Sequence, residues 1–430
     1  MKLKKIAALL LAAALLLAGC SAGESTETTA APTEETTAPS EEVTEAPVSA
    51  GYGENDVTAL TSYSVSEAAP DSADMLVNVA VDADGNELLT NSELQVWYWL
   101  EFYNFINSYG AYASYFGLDY STPLAEQQSL AEGKTWEQYF LEGAATRYQQ
   151  YYALEQLAKA NGFVLSDEEQ AELADVSDPE GKFAGQYKAS GFETADDYLQ
   201  KNFGKGVNAE GYTNYLRTYF TAYSYSNQLQ EAYSATLTAE DIEKEFDATA
   251  EEGALKVNNI NVRHILIKPE KVDDEHDADS DEAWAAAEQK ANEVYAMWQT
   301  NPTVDYFTEL CAEYSGDSTK DSGGLYEEVA PGDMVTEFND WCFDPARQVG
   351  DSGIVKSQYG YHIMYFVGQG ENRAWYDDTL STMIQNHLSG IINEAIEQYP
   401  VRFDYTKIRL YDLLSEAMAE EATEAPTEEK

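Results

Sequence analysis

Positive charge is scarce in this sequence. Lysine and arginine together number 25 against 77 aspartates and glutamates, a formal net charge of −52, and neither cation occurs between Lys5 and Lys134. Such a field repels phosphate, which excludes a nucleic-acid partner. Cysteine is scarcer still, with three in the chain, Cys20, Cys311 and Cys342. No Cys/His spacing of the metal-binding kind is present, so no metal site is expected. The two cysteines of the body, Cys311 and Cys342, are a thin basis for a disulfide, and two buried free thiols are expected instead. Histidine occurs four times, at 264, 276, 362 and 387. The apolar run Ile6–Leu17 follows the cationic Lys2, Lys4 and Lys5 and is too short to span a bilayer comfortably. It reads as an export signal and lies outside the fold.

That run closes on Leu17-Ala18-Gly19-Cys20, which resembles the bacterial lipobox. The resemblance implies cleavage before Cys20 and acylation of its thiol and new amino group, and several acyl chains anchor firmly where one binds only marginally. Residues 1–19 are expected as a lipoprotein signal peptide. Residues 20–69 are Thr, Glu, Ala, Pro and Ser with almost no large apolar side chain. They cannot bury enough surface to offset ordering entropy and are expected as a disordered acidic tether. Thr423-Glu424-Ala425-Pro426 repeats Thr44-Glu45-Ala46-Pro47, and residues 419–430 are expected as a tail of the same kind.

The body changes texture twice. Residues 70–255 carry helical signals: Thr90-x-x-Glu93, Ser166-x-x-Glu169 and the looser Thr238-x-x-Asp241 have the spacing of capping boxes. Leu94, Trp97, Leu100, Phe102, Phe105 and Ile106 lead into Tyr109, Tyr112, Tyr115 and Phe116, and a second tyrosine cluster spans 212–225. A helix-packing core is the favoured reading, and a tyrosine-rich cradle for unfolded chains is the alternative. From Lys256 the period drops to two, with Ile260, Val262, His264 and Leu266 alternating against Asn261, Arg263, Ile265 and Ile267. Helical spacing at 284–298 and 307–314, turns at Gly323-Gly324 and Pro331-Gly332, and a last strand 361–367 complete an α+β domain over 256–370. His276 lies among Asp273, Asp274, Glu275, Asp277 and Asp279, read as a solvated loop. Residues 371–418 return to helix, with Trp375, Leu380, Ile384, Leu388, Ile391, Ile392 and Ile396, and need the earlier helices as partner. The α+β domain is thus read as an insertion in an all-helical domain built from N- and C-terminal segments.

The α+β stretch resembles the parvulin-type peptidyl-prolyl cis/trans isomerases, in the arrangement of the PrsA and SurA extracytoplasmic foldases. The residues that carry the likeness are Val262-Arg263-His264-Ile265-Leu266-Ile267, Tyr314-Ser315-Gly316-Asp317-Ser318, Ser322-Gly323-Gly324-Leu325, Gly332-Asp333-Met334-Val335-Thr336-Glu337-Phe338 and Tyr359-Gly360-Tyr361-His362-Ile363-Met364. It implies a small antiparallel sheet with surrounding helices. It also implies a catalytic set of His264, Asp317, Ser357 and His362, and a proline-ring pocket of Leu325, Met334 and Phe338. Three departures stand out: the loop after the first strand is acidic, which argues against phosphoserine-proline substrates; Tyr326-Glu327-Glu328 replaces a small Gly-aromatic continuation; and Ser357 stands where threonine is common.

The chemistry such residues can do is modest in kind. Isomerisation breaks no covalent bond and has only to lower a rotational barrier of roughly 18–20 kcal/mol set by amide resonance. An apolar slot orients the ring, and a polar network favours the twisted amide over the planar one. No cofactor is needed. The expected function is isomerase and foldase for exported proteins containing Xaa-Pro bonds, lipid-anchored at the outer face of a membrane in a Gram-positive type envelope. The alternative is a non-catalytic chaperone that uses the parvulin fold to recognise clients. A homodimer through the helical domain is left open.

Overall fold

Three of the helix starts are written in the sequence as reciprocal caps. In the computed structural model, which describes residues 72–251, 254–273 and 277–414, the side chains of Thr90, Ser166 and Thr238 each accept from the backbone N–H three residues on, and the acid at that position reaches back. Each cap closes two otherwise orphaned donors. The expected signal peptide with Cys20, the tether, the terminal tail and His276 all lie outside the described residues.

The chain divides into two compact units, residues 234–385 and the remainder on either side. In the flanking unit, strands β1 (Asn78–Val81) and β2 (Glu87–Thr90) precede helices α1 (Asn91–Tyr109), α2 (Trp136–Ala160), α3 (Asp167–Asp175), α4 (Lys182–Ala189), α5 (Ala195–Phe203) and α6 (Ala209–Ser234). The aromatics of α1 go inward: Trp97, Tyr98, Trp99, Phe102 and Tyr103 are all buried, and all but Trp99 meet Phe140, Tyr148 or Phe203 edge to face. Aromatic pairs in that geometry contribute about 0.5–1.5 kcal/mol each beyond their burial. The C-terminal stretch closes this core, with Val401, Ile408, Tyr411, Leu413 and Leu414 packed among the α1 and α2 side chains.

This unit is not helix alone. Arg402–Phe403, the short strand β7, pairs antiparallel with β1 to give the sheet order β2-β1-β7. Asn91 fastens the return: its Nδ2 donates to the Lys407 carbonyl and its Oδ1 accepts from the Arg409 N–H. Segments more than three hundred residues apart in sequence thereby share one fold, as the insertion reading requires.

The second unit holds α7 (Ala239–Thr249), β3 (Ile260–Ile267), α8 (Asp281–Gln299), α9 (Val304–Tyr314), β4 (Leu325–Val329), α10 (Thr336–Cys342), β5 (Ser352–Ser357) and β6 (Gly360–Gln369). The last helix, α11 (Ala374–Gln398), starts in this unit and ends in the other. The sheet is antiparallel in the order β4-β3-β6-β5. Because strand side chains alternate, its two faces belong to different clusters. Ile265, Ile267 and Ile363 pack under α8 and α9 with Val294, Trp298, Phe307 and Cys311. Val262, Met364 and Phe366 pack on the other side with Phe338 and Cys342 of α10. Cys311 and Cys342 are therefore free, buried and separated by the sheet.

Candidate active site

His264 and His362 sit on neighbouring central strands, β3 and β6, on the face that α10 covers. The register pairs Leu266 with His362 and His264 with Met364, so the two rings are diagonal neighbours on one face. They stack at 5.2 Å between centroids and 15° between planes, both almost fully buried. Their Nδ1 atoms are 3.0 Å apart. Ser357, at the end of β5, reaches the far nitrogen of His362, Oγ to Nε2 at 2.7 Å. The tight β5–β6 hairpin makes this possible: Ser357 pairs with Gly360, and its Oγ also accepts from the Tyr359 N–H.

Asp317 is delivered from the exit of α9. Ser315 Oγ accepts from Leu266 N–H, and Gly316 N–H donates to the Leu266 carbonyl, which fastens the segment to the end of β3. Gly324 completes the approach. A Cβ there would lie 2.0 Å from the His264 carbonyl oxygen, so only glycine lets the loop close against β3. The Asp317 carboxylate caps the short 3₁₀ turn Ser318–Ser322, accepting from the N–H and the hydroxyl of Thr319. His264 Nε2 lies 3.4 Å from Oδ1. That is long for a hydrogen bond, and Nε2 has no other acceptor in its buried position, so this is the loosest link in the chain.

Burial pushes the Asp317 carboxyl up, but His264 and the Thr319 donors outweigh it and hold it well below the usual carboxylate range. Burial, with a smaller contribution from His264, brings the His362 imidazole down to about 4. At neutral pH the carboxylate is ionised and His362 is neutral. Hydrogen-bond accounting then gives the network a direction when His264 is neutral too. An ionised carboxylate only accepts, so the proton of His264 sits on Nε2 and its Nδ1 accepts from His362. His362 Nε2 in turn accepts from the Ser357 hydroxyl.

Beside this network lies an apolar wall. Met334 and Phe338 pack in the same cluster, and the Phe338 ring meets both imidazoles edge to face at 5.3 and 5.4 Å. Leu325 does not join them. It pairs with Arg263, on the opposite face of the sheet, whereas Tyr326 pairs with Val262 and packs with Met334 and Phe338. Tyr326 is thus the site residue that sequence reasoning missed. The available signal was strand alternation: a residue opposite Val262 shares the face of His264.

A concavity lies in the helical unit, a groove of about 660 Å³ lined by Tyr109, Tyr139, Tyr151, Tyr223, Leu388 and Ile392 among others. On α6 the rings of Tyr215, Tyr219 and Tyr223 are stacked at 6.0 and 5.8 Å, and Tyr223, which lines the groove, is half exposed. The first tyrosine cluster divides: the helix residues are core, while Tyr112 and Tyr115 are exposed.

The four-stranded antiparallel sheet carries paired histidines and a hydroxyl, and the segment after α9 brings a carboxylate to them beside an apolar wall. Residues 248–369 match the family described as the PPIC-type PPIASE domain. The proteins to which the chain is similar are foldases and chaperones of the PrsA and SurA kind. It is 32% identical to Foldase protein PrsA 1 of Listeria monocytogenes over 114 residues, 26% of this chain and 32% of that one. Against Foldase protein PrsA of Clostridium perfringens the identity is 25% over 204 residues, 45% of this chain and 54% of the other. The chain therefore spans between a third and about half the length of these relatives. Among solved structures, peptidylprolyl isomerase PrsA from Bacillus cereus aligns with a TM-score of 0.26 at 18% identity, covering 73% of this chain and 96% of that one.

Proposed function

We propose that the chain is a peptidyl-prolyl cis/trans isomerase and foldase for exported proteins. The observation that carries the reading is the row Ser357–His362–His264 with the ionised Asp317 3.4 Å from its last ring, beside an apolar wall of Met334, Phe338 and Tyr326 that we read as the slot for a prolyl ring. A prolyl ring in that slot would place its amide against the carboxylate. Negative charge there disfavours the planar, charge-separated amide resonance form, in which the carbonyl oxygen is negative, and a dry wall strengthens that discrimination. Uncatalysed Xaa-Pro steps take tens of seconds, long enough to limit folding after export.

The helical unit would hold the client while the slot samples its prolines, with the tyrosine-lined groove as the contact surface. Lipid attachment at Cys20, a tether over 20–69 and a location at the outer face of the cell membrane complete the proposal on the strength of the lipobox, and the likeness to PrsA with the Thr/Glu/Pro tether favours a Gram-positive type envelope. The domain limits 70–255, 256–370 and 371–418 are part of the same proposal.

The test is isomerisation of Xaa-Pro tetrapeptides by residues 70–418, beside the Asp317→Ala variant. Catalysis that falls about a hundredfold in the variant supports the site and the activity together. A parent inactive across varied residues before proline would sink the isomerase reading and leave a chaperone that uses the fold for recognition.

A further inference from the structure

Tyr326 carries the one hydroxyl on the apolar wall, and the isomerase reading makes no use of it. Its Oη donates to Asp317, 3.1 Å from Oδ1 and 3.4 Å from Oδ2. Its ring lies 5.3 Å from the His264 ring at 60°. The other donors to this carboxylate converge on one oxygen: the N–H and hydroxyl of Thr319, and the distant Nε2 of His264, all address Oδ1. A carboxylate held through one oxygen still turns about its last side-chain bond, where the torsional wells are broad. The Tyr326 hydroxyl is the donor that touches both oxygens and so fixes the plane of the group.

We propose that Tyr326 is a positioning residue: its hydroxyl aims the Asp317 carboxylate, while its ring walls the slot beside it. Binding of the prolyl ring and orientation of the carboxylate are thereby carried by one side chain. A leucine or glycine at this place could supply a wall or an opening but not the aim. The phenol responds as such a contact requires, since burial and the Asp317 charge together raise its pKa. The catalytic side of the proposal rests on the isomerase reading; the hydrogen bond does not.

Two measurements on the full chain separate them. With tyrosine labelled at Cζ with carbon-13, the Tyr326 resonance is identified by its loss in Tyr326→Phe and titrated in the parent and in Asp317→Asn. We expect its titration above the ordinary tyrosine range in the parent and closer to that range in Asp317→Asn. No movement overturns the proposal. In parallel, Tyr326→Phe keeps the ring and should lower kcat about tenfold on an Xaa-Pro tetrapeptide at unchanged KM. A kcat equal to the parent's overturns the positioning role, because a mere wall would tolerate phenylalanine. An inactive parent counts against the isomerase reading alone; the titration then decides the Tyr326 contact on its own.

Discussion

The two faces of the β4-β3-β6-β5 sheet are built from the same strands and do opposite things. Under α8 and α9, Ile265, Ile267 and Ile363 meet Val294, Trp298, Phe307 and Leu310 in an apolar cluster. Under α10 the same strands present His264, Ser357 and His362, all buried, among Val262, Phe338 and Met364. Burying a polar group is costly unless it is hydrogen-bonded, and here the groups bond chiefly to one another. One face therefore supplies the stability that lets the other hold an unfavourable but useful network. Strand alternation separates the two tasks at single-residue resolution, so each can be altered without the other.

The largest effect should come from breaking the stabilising face. Phe307 is fully buried between Trp298 and Tyr365. Phe307→Ala should cost about 3–5 kcal/mol by urea denaturation, through lost burial and the cavity left behind. Activity of the fraction that remains folded should stay near the parent's. Asp317→Ala should do the reverse, costing about 1 kcal/mol for a lost cap while removing most catalysis. A Phe307→Ala protein that is stable but inactive would show that the faces are not separable.

The next effect is smaller and depends on pH. His362 is neutral in the folded state, with its pKa brought down to about 4 from an unfolded value of 6.5. Between those values the unfolded chain binds the extra proton, so stability rises with pH through this window and is fully present above 6.5. Lowering the pH from 7 to 5 should cost roughly 2 kcal/mol through this group, at 1.36 kcal/mol per unit. The 77 acidic side chains add a pH dependence of their own. The comparison is therefore the parent's pH 5 to pH 7 difference minus that of His362→Gln. Equal differences in the two proteins would mean that the fold leaves the His362 pKa at its unfolded value.

Much of this was legible in the sequence, because the informative signals are local. The three caps, the alternation 260–267 and the spacing of Met334 and Phe338 each depend on residues a few positions apart. The register of β4 against β3 places Tyr326, and not Leu325, opposite Val262, and it is regular at that point; the irregularity lies beyond it. Ile260 pairs with Val329 and Val262 with Tyr326, so β4 carries one extra residue, and Glu328 sits there at φ 54, in the left-handed region. That bulge is held by partners far along the chain: Glu328 N–H donates to Asn261, and its carboxylate accepts from the N–H groups of Glu371 and Asn372. No local pattern encodes such a contact. The β1–β7 pairing was hidden for the same reason. The box Thr135-x-x-Gln138 at the start of α2, by contrast, was readable and was passed over.

The finest comparison sets two small truncations of similar cost on opposite faces of neighbouring strands. Ile363→Val removes one methylene from the fully buried apolar side and should cost about 1 kcal/mol. Ser357→Ala removes one hydroxyl from the polar side and leaves His362 Nε2 buried without its donor, at a similar cost of about 1–2 kcal/mol. Stability alone should barely tell them apart. The ring of His362 should: in Ser357→Ala its Nε2 is no longer held as an acceptor, so nitrogen-15 shifts should report a mixed tautomer, while Ile363→Val keeps the parent's pattern. Catalysis should follow the tautomer and not the stability, falling in Ser357→Ala and holding in Ile363→Val. Were the two variants to lose catalysis equally, the network would be a passenger of the fold, and the division of labour between the faces would be wrong.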